Sequence, residues 1–182
     1  MTSPSYRFKG VYPALVTPFD EKGVNEAQYR SLIDYTIRKG ATGIVPCGTT
    51  GEFTSMRMEE KTEAIRIACE AAGGQVPVIA GTGAAYTNDV IKLTRRAAEF
   101  GASAALVVTP YFLKPSTKEI YEHFEKIANS SEIPIIAYNI PQATGVMLDW
   151  WVIDGLREID NIIGLKDSSG NLVHLTTILV RK

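Results

Sequence analysis

The sequence predicts an α/β fold in which short parallel strands alternate with helices. Six runs are strongly apolar and rich in β-branched residues, without the polar alternation of a half-exposed strand. Strands of this kind are buried on both faces, as in a parallel sheet covered by helices. A segment of helical period follows each run. The six runs are 10–16, 43–46, 76–80, 104–108, 135–138 and 162–166.

The helical segments carry their own start and stop signals. Ser116 and Glu119 have the spacing of a capping box, in which each side chain accepts a hydrogen bond from the other residue's amide. Gly40 and Gly101 follow two other helical segments, where glycine can take the left-handed conformation that ends a helix. These signals support a regular alternation of strand and helix along the chain.

No linker or low-complexity stretch divides the chain, so residues 1–182 are expected to form one domain. Six βα units fit either a (β/α)8 barrel or a doubly wound open sheet. The barrel requires about 250 residues and eight units, more than this chain has. An open sheet usually has a glycine-rich phosphate loop after its first strand, but Thr17-Pro-Phe-Asp20 stands there. A dinucleotide site rests only on Gly81-Thr-Gly83, which lacks the third glycine.

The composition is that of an ordinary globular protein, with 45% hydrophobic residues, 21% charged residues and a net charge of −1. This balance gives no reason to expect nucleic acid or an anionic membrane as a partner. No apolar run approaches the ~20 residues that cross a bilayer, and residues 1–9 do not resemble a signal peptide, so we expect a cytoplasmic protein. His123 and His174 lack ligand spacing, and Cys47 and Cys69 are predicted to be buried thiols, so no metal is expected.

Two polar residues end neighbouring runs of the predicted sheet. Lys166 ends the sixth run, where burial would lower the pKa of its amine and free it to attack a ketone. Tyr138 ends the fifth run, where its hydroxyl could pass a proton. Taken alone, a lysine at such a position more often extends its ammonium group to water than it takes part in catalysis. A tyrosine at such a position is as often a structural residue of the cavity wall as a catalytic one. Because the carboxyl ends of parallel strands meet at one edge, we expect the two to be neighbours.

The loop after the second run, Gly48-Thr-Thr-Gly-Glu52, places two hydroxyls between two glycines. Such a turn can direct amides and hydroxyls at one small concavity, which suits a carboxylate. Taken alone, the same residues also fit a simple turn that caps the next helix.

Five segments together resemble the family of dihydrodipicolinate synthase and N-acetylneuraminate lyase, which are pyruvate-dependent class I aldolases. Their order extends from the first run into the sixth helix, and the combination is far more specific than any one segment. The segments are Gly48-Thr-Thr-Gly-Glu52, Val76-Pro-Val-Ile-Ala-Gly-Thr-Gly83, Thr109-Pro-Tyr111, Tyr138-Asn-Ile-Pro141 with Thr144-Gly145, and Ile162-Ile-Gly-Leu-Lys-Asp-Ser-Ser-Gly170.

The resemblance implies a (β/α)8 barrel, of which this chain covers about six βα units. It implies that Lys166 forms an imine with pyruvate, that Tyr138 shuttles the proton and that Thr49 belongs to the proton relay. Thr50 and its amide, in the turn that begins at Gly48, are implied to hold the pyruvate carboxylate. Such chemistry needs no metal or diffusible cofactor, because the protonated imine is the electron sink. The partners implied are a 2-oxo acid, an aldehyde and further copies of the full-length protein in a homo-oligomer.

Two positions depart from the synthase of lysine biosynthesis. That synthase has an arginine, for the carboxylate of aspartate semialdehyde, where this chain has Ala143. Its second tyrosine after Thr-Pro corresponds to Phe112, which follows Tyr111 and has no proton to pass. We therefore expect Tyr111 and Ala143 to line the site of a retro-aldolase that cleaves 2-keto-3-deoxy sugar acids or 4-hydroxy-2-oxo acids. The alternative is 4-hydroxy-tetrahydrodipicolinate synthase.

Members of the family continue through two further βα units after the point where this resemblance stops. We therefore expect an incomplete barrel whose first and sixth strands are open edges, in a fragment of a longer enzyme. A catalytically inert fragment is the alternative from another class.

Overall fold

A parallel sheet is the main feature of the structure, a computed structural model that describes residues 8–181. A small antiparallel hairpin, β1 (Phe19–Asp20) and β2 (Gly23–Val24), precedes it and has no counterpart among the sequence predictions. The regular strands of the sheet lie side by side in chain order and are all parallel. They are β3 (Ile79–Gly81), β4 (Ala104–Val108), β5 (Ile135–Asn139) and β6 (Ile162–Asp167).

The first two predicted strands are not regular strands. Residues 10–16 and 43–46 extend the sheet in parallel through isolated bridges, at Ala14–Val45 and Ile44–Val78. The prediction of strands over these two runs is therefore wrong in detail, although their place in the sheet is as expected. Proline explains the difference, because Pro13 and Pro46 have no amide hydrogen to donate to a ladder.

Helices connect the segments of the sheet, and the described part of the chain contains none that is long and apolar enough to cross a membrane. Two short helices, rather than one, join β5 to β6. The helices are α1 (Glu26–Arg38), α2 (Met58–Ala72), α3 (Thr87–Glu99), α4 (Thr117–Asn129), α5 (Pro141–Thr144), α6 (Trp150–Arg157) and α7 (Leu172–Val180).

The predicted helix ends are confirmed. The Ser116 amide donates to the Glu119 carboxylate at 2.7 Å, and the Glu119 amide donates to the Ser116 hydroxyl at 3.4 Å. Gly40 and Gly101 have φ values of 94° and 87°, the left-handed region that glycine enters without a steric penalty. Local sequence signals therefore set these boundaries.

Alternate residues of β4 pack into two different layers. Leu106 and Val108 belong to an inner cluster with Tyr138, whereas Ala105 and Val107 pack with apolar residues of α4 and α6. An inner cavity is lined by residues from four successive segments of the sheet, from Gly48 to Tyr138. Because these segments converge on one interior, the sheet curves like the wall of a barrel rather than lying open.

The two margins of the curved sheet are more exposed than its centre. All of β4 is buried, as predicted, but every residue of β6 is half-buried or exposed, so the prediction that each run is buried on both faces is wrong for β6. At the other margin Val11 and Val16 are 66% and 51% exposed. Within residues 8–181 each margin has a neighbour on one side only, as an incomplete barrel requires.

Candidate functional site

The carboxyl ends of β5 and β6 bring a phenol and an amine together. Tyr138 and Lys166 are direct partners in the parallel register of the two strands. The Lys166 Nζ atom lies 4.0 Å from the centroid of the Tyr138 ring. Residues at matched positions of adjacent strands point to the same side of a sheet, here the interior. The two groups are therefore neighbours, as the positions of the run ends predicted.

Three polar side chains lie near the Tyr138 phenol, those of Ser168, Thr49 and Lys166. Burial raises the pKa of Tyr138, but the polar groups of Ser168 and Thr49 and the charge on Lys166 outweigh burial, so the pKa lies below its ordinary value. A phenol with a lowered pKa gives up its proton more readily, which suits a proton relay.

Ser168 is a residue that sequence reasoning missed as a member of this group. It follows Lys166 by two positions, and residues two apart on an extended chain share one face. Its amide continues the sheet by donating to the Asn139 carbonyl at 2.8 Å. The period of the strand was thus the signal that could have found Ser168.

Lys166 is less buried than its sequence suggested. The strand that carries it is at the margin of the sheet, and the residue is half-buried rather than enclosed. The expectation of a lysine at the end of a fully buried strand is therefore wrong for the residues that the structure describes. What holds Lys166 near Tyr138 is its pairing with β5 on one side.

The turn after residues 43–46 reaches the same interior. Thr49–Gly51 forms one short 3-10 turn between Cys47 and Glu52, whose φ values of 54° and 60° lie in the left-handed region. Gly81 of β3 packs against this turn so closely that a Cβ atom there would lie 2.1 Å from the Cys47 carbonyl oxygen. Close backbone packing therefore explains Gly81, which sequence reasoning had considered as part of a nucleotide loop and of the segment 76–83 that resembles the family.

The other predicted site residues differ in how near they come to this group. Gly48 and Thr49 line the inner cavity together with Tyr138, although Thr49 is exposed overall, as is the neighbouring Thr50. Tyr111 is half-buried with its ring 5.8 Å from that of Phe53, which lines the same cavity.

Ala143 is exposed on α5, in the loop between β5 and β6. Burial raises the pKa of Tyr111. The described contacts of Tyr111 are thus to the wall of the cavity. Substrate binding by Thr50, Gly48, Tyr111 and Ala143 stays a prediction.

Cys47 lines the inner cavity beside Gly48, whereas His123, His174 and Cys69 do not line it. Cys47 and Cys69 are buried free thiols, and burial raises the pKa of each to about 12. His123 is buried, with its Nδ1 atom 3.0 Å from the Thr87 hydroxyl. Across residues 8–181 no three His, Cys, Asp or Glu side chains are grouped as metal ligands would be.

A curved parallel βα sheet with an amine and a phenol at the carboxyl ends of adjacent strands defines a class: a partial (β/α)8 barrel with its functional groups where barrel enzymes carry theirs. Sequence comparison agrees, because residues 7–182 match the model of the dihydrodipicolinate synthetase family. The chain belongs to that family.

Two curated relatives match nearly the whole of this chain but only part of their own length. The chain is 43% identical over 173 residues to the 4-hydroxy-tetrahydrodipicolinate synthase of Methanothrix thermoacetophila, covering 94% of this chain and 58% of that protein. It is also 43% identical over 174 residues to the same enzyme of Syntrophobacter fumaroxidans, covering 96% of this chain and 60% of that protein. The chain therefore spans about three fifths of the length of these relatives.

Solved structures give the same fold. Dihydrodipicolinate synthase from Aquifex aeolicus superposes with a TM-score of 0.92 at 39% identity, covering 96% of this chain and 60% of that one. The chloride-inhibited synthase from Acinetobacter baumannii, complexed with pyruvate, gives 0.89 at 40% identity, covering 93% and 59%. A prophage protein of the family from E. coli, also in complex with pyruvate, gives 0.90 at 31%, covering 94% and 58%. The names of the relatives favour the synthase alternative over the retro-aldolase on sugar acids that we expected first.

Proposed function

We propose that the protein to which this chain belongs uses Lys166 to form an imine with pyruvate or a closely related 2-oxo acid. The observation that carries the proposal is the Lys166 Nζ atom 4.0 Å from the Tyr138 ring centroid, with Thr49 and Tyr138 lining the same interior cavity. The pyruvate bound to two structurally similar proteins supports the same 2-oxo acid. An amine, a proton carrier and a hydroxyl relay are the groups that imine chemistry needs.

The proposed reaction runs from imine formation to hydrolysis. The Lys166 amine attacks the ketone carbon, and water leaves after Tyr138 delivers a proton to the departing oxygen, which leaves a protonated imine and a Tyr138 phenolate. The phenolate takes a proton from the adjacent methyl group, and the C–H electron pair passes to the imine, which gives an enamine. The enamine carbon attacks an aldehyde, Tyr138 gives its proton to the new alkoxide, and water hydrolyses the protonated imine, which releases the product, the lysine amine and one proton. In this scheme Thr49 returns the proton to Tyr138, and Thr50 with Gly48 holds the carboxylate.

For the second substrate we favour an aldehyde that carries a carboxylate, as in the condensation of the synthase with aspartate semialdehyde. The names of the relatives support this choice. Ala143 supplies no cation, but Lys114 offers one nearby, because its Cε atom would lie 3.4 Å from a Cβ added at Gly145. The lysine stands on the loop after β4 and leans on the turn that follows Ala143. A lysine would bind the carboxylate as a point charge rather than through the fork of an arginine.

The second candidate is retro-aldol cleavage of 2-keto-3-deoxy sugar acids or 4-hydroxy-2-oxo acids. It is favoured by Ala143 and by Phe112, which is 93% exposed and has a φ value of 74°. Neither side chain can donate a proton or bind a carboxylate, whereas a neutral rim suits a polyhydroxylated chain. The reaction reverses the same enamine chemistry, so both candidates require Lys166.

Borohydride trapping tests the imine. The chain is incubated with pyruvate, reduced with borohydride and examined by peptide mass mapping. A carboxyethyl group on Lys166, and its absence from Lys166→Ala, is expected. Lys61→Ala is a control for nonspecific modification of another lysine, one that is buried. A folded wild-type chain that stays unmodified would reject the proposal and support an inert product.

A substrate panel separates the two candidates. Condensation of pyruvate with aspartate semialdehyde is compared with pyruvate release from 2-keto-3-deoxygluconate, N-acetylneuraminate and 4-hydroxy-2-oxoglutarate. We expect condensation, and we expect Lys114→Ala to raise the KM for the semialdehyde on the order of ten-fold with pyruvate binding unchanged. The matched control is Lys118→Ala, whose ammonium is 3.6 Å from the Glu122 carboxylate on α4. Release from a sugar acid without condensation would reverse the order of the candidates.

A further inference from the structure

The residues that follow Tyr138 and Lys166 along their strands are also bonded to each other. The Asn139 Nδ2 atom donates to the Asp167 carboxylate at 2.6 Å, across the β5–β6 pair. The Asn139 carbonyl oxygen of the side chain accepts from the Leu148 amide at 2.9 Å. Asn139 is fully buried, so its bond with Leu148 is shielded from competing water, and its bond with the half-buried Asp167 is partly shielded.

Further hydrogen bonds extend this connection to both loops. The Ser169 hydroxyl donates to the other carboxylate oxygen of Asp167 at 2.8 Å. The Gln142 side-chain amide donates to the Ser168 backbone carbonyl at 2.6 Å. The Ser168 backbone amide donates to the Asn139 backbone carbonyl at 2.8 Å. The loop that carries Ala143 and the segment after Lys166 are therefore both connected by hydrogen bonds to the Asn139–Asp167 pair.

The two sets of residues lie on opposite faces of the same strands. Tyr138 and Lys166 face the interior, and successive residues of a strand alternate between faces, so Asn139 and Asp167 face outward. Each group proposed to do chemistry is thus followed by a residue bonded to the neighbouring strand. Because β6 is paired on one side only within the described residues, the bond between Asn139 and Asp167 is a principal lateral restraint at its carboxyl end.

We propose that Asn139 and Asp167 are positioning residues that hold the Lys166 amine over Tyr138 and fix the loop between β5 and β6 beside it. Neither residue touches the reacting atoms. Their effect on catalysis rests on the proposed imine chemistry, whereas their effect on the placement of Lys166 does not. An error of 1 Å in the placement of reacting groups can lower a rate about 100-fold, so a restraint of this kind matters even outside the site.

The test compares Asn139→Ala and Asp167→Ala with Asp167→Asn, which keeps an acceptor oxygen for Asn139. The matched control is Asn161→Ala, because the Asn161 side chain is likewise hydrogen-bonded to neighbouring segments, but at the amino end of β6. Its Nδ2 atom donates to the backbone carbonyls of Ala128, Ser131 and Ile133. Denaturation measures the stability of each variant. Borohydride trapping over a range of pyruvate concentrations separates the limiting rate from the half-saturating concentration. Competitive acetylation over a range of pH, mapped by mass, reports the reactivity of Lys166 without pyruvate.

We expect the two alanine variants at the carboxyl end to lower the limiting trapping rate on the order of ten- to 100-fold and to move the pH profile of Lys166 acetylation. Asp167→Asn should stay within a few-fold of the wild type, because its carbonyl oxygen still accepts from Asn139. Asn161→Ala should lose stability but keep both the trapping rate and the acetylation profile.

Three results would overturn the proposal. The first is wild-type trapping by Asn139→Ala, and the second is an equal loss in Asn161→Ala, which would indicate general destabilisation. The third applies if the wild-type chain forms no adduct, which rejects the imine chemistry itself. In that case an acetylation profile of Lys166 that Asn139→Ala leaves unchanged rejects the positioning role as well, and a moved profile supports it.

Discussion

Each end of the β5–β6 pair has a hydrogen-bonded asparagine side chain, and the two asparagines have different roles. At the amino end, the Asn161 side-chain amide donates at 3.0 Å to a backbone carbonyl in the last turn of α4, and at 3.1 and 3.3 Å to two carbonyls of the segment that joins α4 to β5. At the carboxyl end, the Asn139 side chain bonds to Asp167 and to the Leu148 amide. Asn161 thus joins the start of β6 to the backbone that precedes β5. Asn139 makes its bonds on the outer face of the strands, while Tyr138 and Lys166 face the interior.

The difference between the ends follows from strand polarity. In a parallel barrel all carboxyl ends meet at one face, so polar side chains from several segments converge there, while the amino ends carry the returning connections. We therefore expect the asparagine side chain to contribute to stability at one end and to the placement of reactive groups at the other. Substitutions chosen as pairs, one at each end, test this division.

The largest contrast is expected between two glycines. Gly81→Ala at the carboxyl end would place a Cβ atom 2.1 Å from the Cys47 carbonyl oxygen, so the turn that carries Thr49 must move. We expect a loss of pyruvate trapping on the order of 100-fold or more, because that turn meets Tyr138. Trapping is measured with borohydride, and the fold is monitored by circular dichroism.

The control for that substitution is Gly101→Ala at the amino end of the sheet. An added Cβ meets nothing within 4 Å there, but the φ value of 87° is unfavourable for alanine. We expect a loss of about 1 kcal/mol in the free energy of unfolding, with trapping unchanged. Equal trapping losses in both variants would contradict the division between the ends.

Removal of one hydroxyl should have the next largest effect. Tyr138→Phe keeps the ring that lies 4.0 Å from the Lys166 Nζ atom but removes the hydroxyl, whose pKa the nearby Ser168 and Thr49 side chains lower. We expect the rate of imine formation to fall about 100-fold, with stability close to that of the wild type. Tyr121→Phe is a suitable control, because its hydroxyl bonds only locally to Glu125, at 3.1 Å. Trapping at the wild-type rate would remove Tyr138 from the proposed relay.

The smallest effect is expected from Ser168→Ala, and it depends on pH. The Ser168 side chain helps to lower the pKa of Tyr138, so its removal should raise that pKa. The phenol then stays protonated to higher pH, and the alkaline limb of the trapping profile should move upward. A lowered folded-state pKa of a phenol adds stability only at alkaline pH, so stability at neutral pH should be nearly unchanged through this linkage. An alkaline limb that does not move would show that Ser168 does not act on Tyr138.

Local signals in the sequence predicted much of the fold. The capping box at Ser116 and the left-handed glycines at 40 and 101 depend on near neighbours, so the structure confirms them. The strands over residues 10–16 and 43–46 failed because proline breaks a ladder even where a β-branched run favours one.

The sequence by itself determined that Tyr138 and Lys166 meet, because each ends an apolar run and parallel strands align their carboxyl ends. Only the tertiary structure decided how they are held. The half-exposure of Lys166 follows from the marginal place of β6, and the close contact at Gly81 follows from sheet curvature. The bond from Asn139 to Asp167 joins residues far apart in the chain, and no spacing within a single segment encodes such a contact.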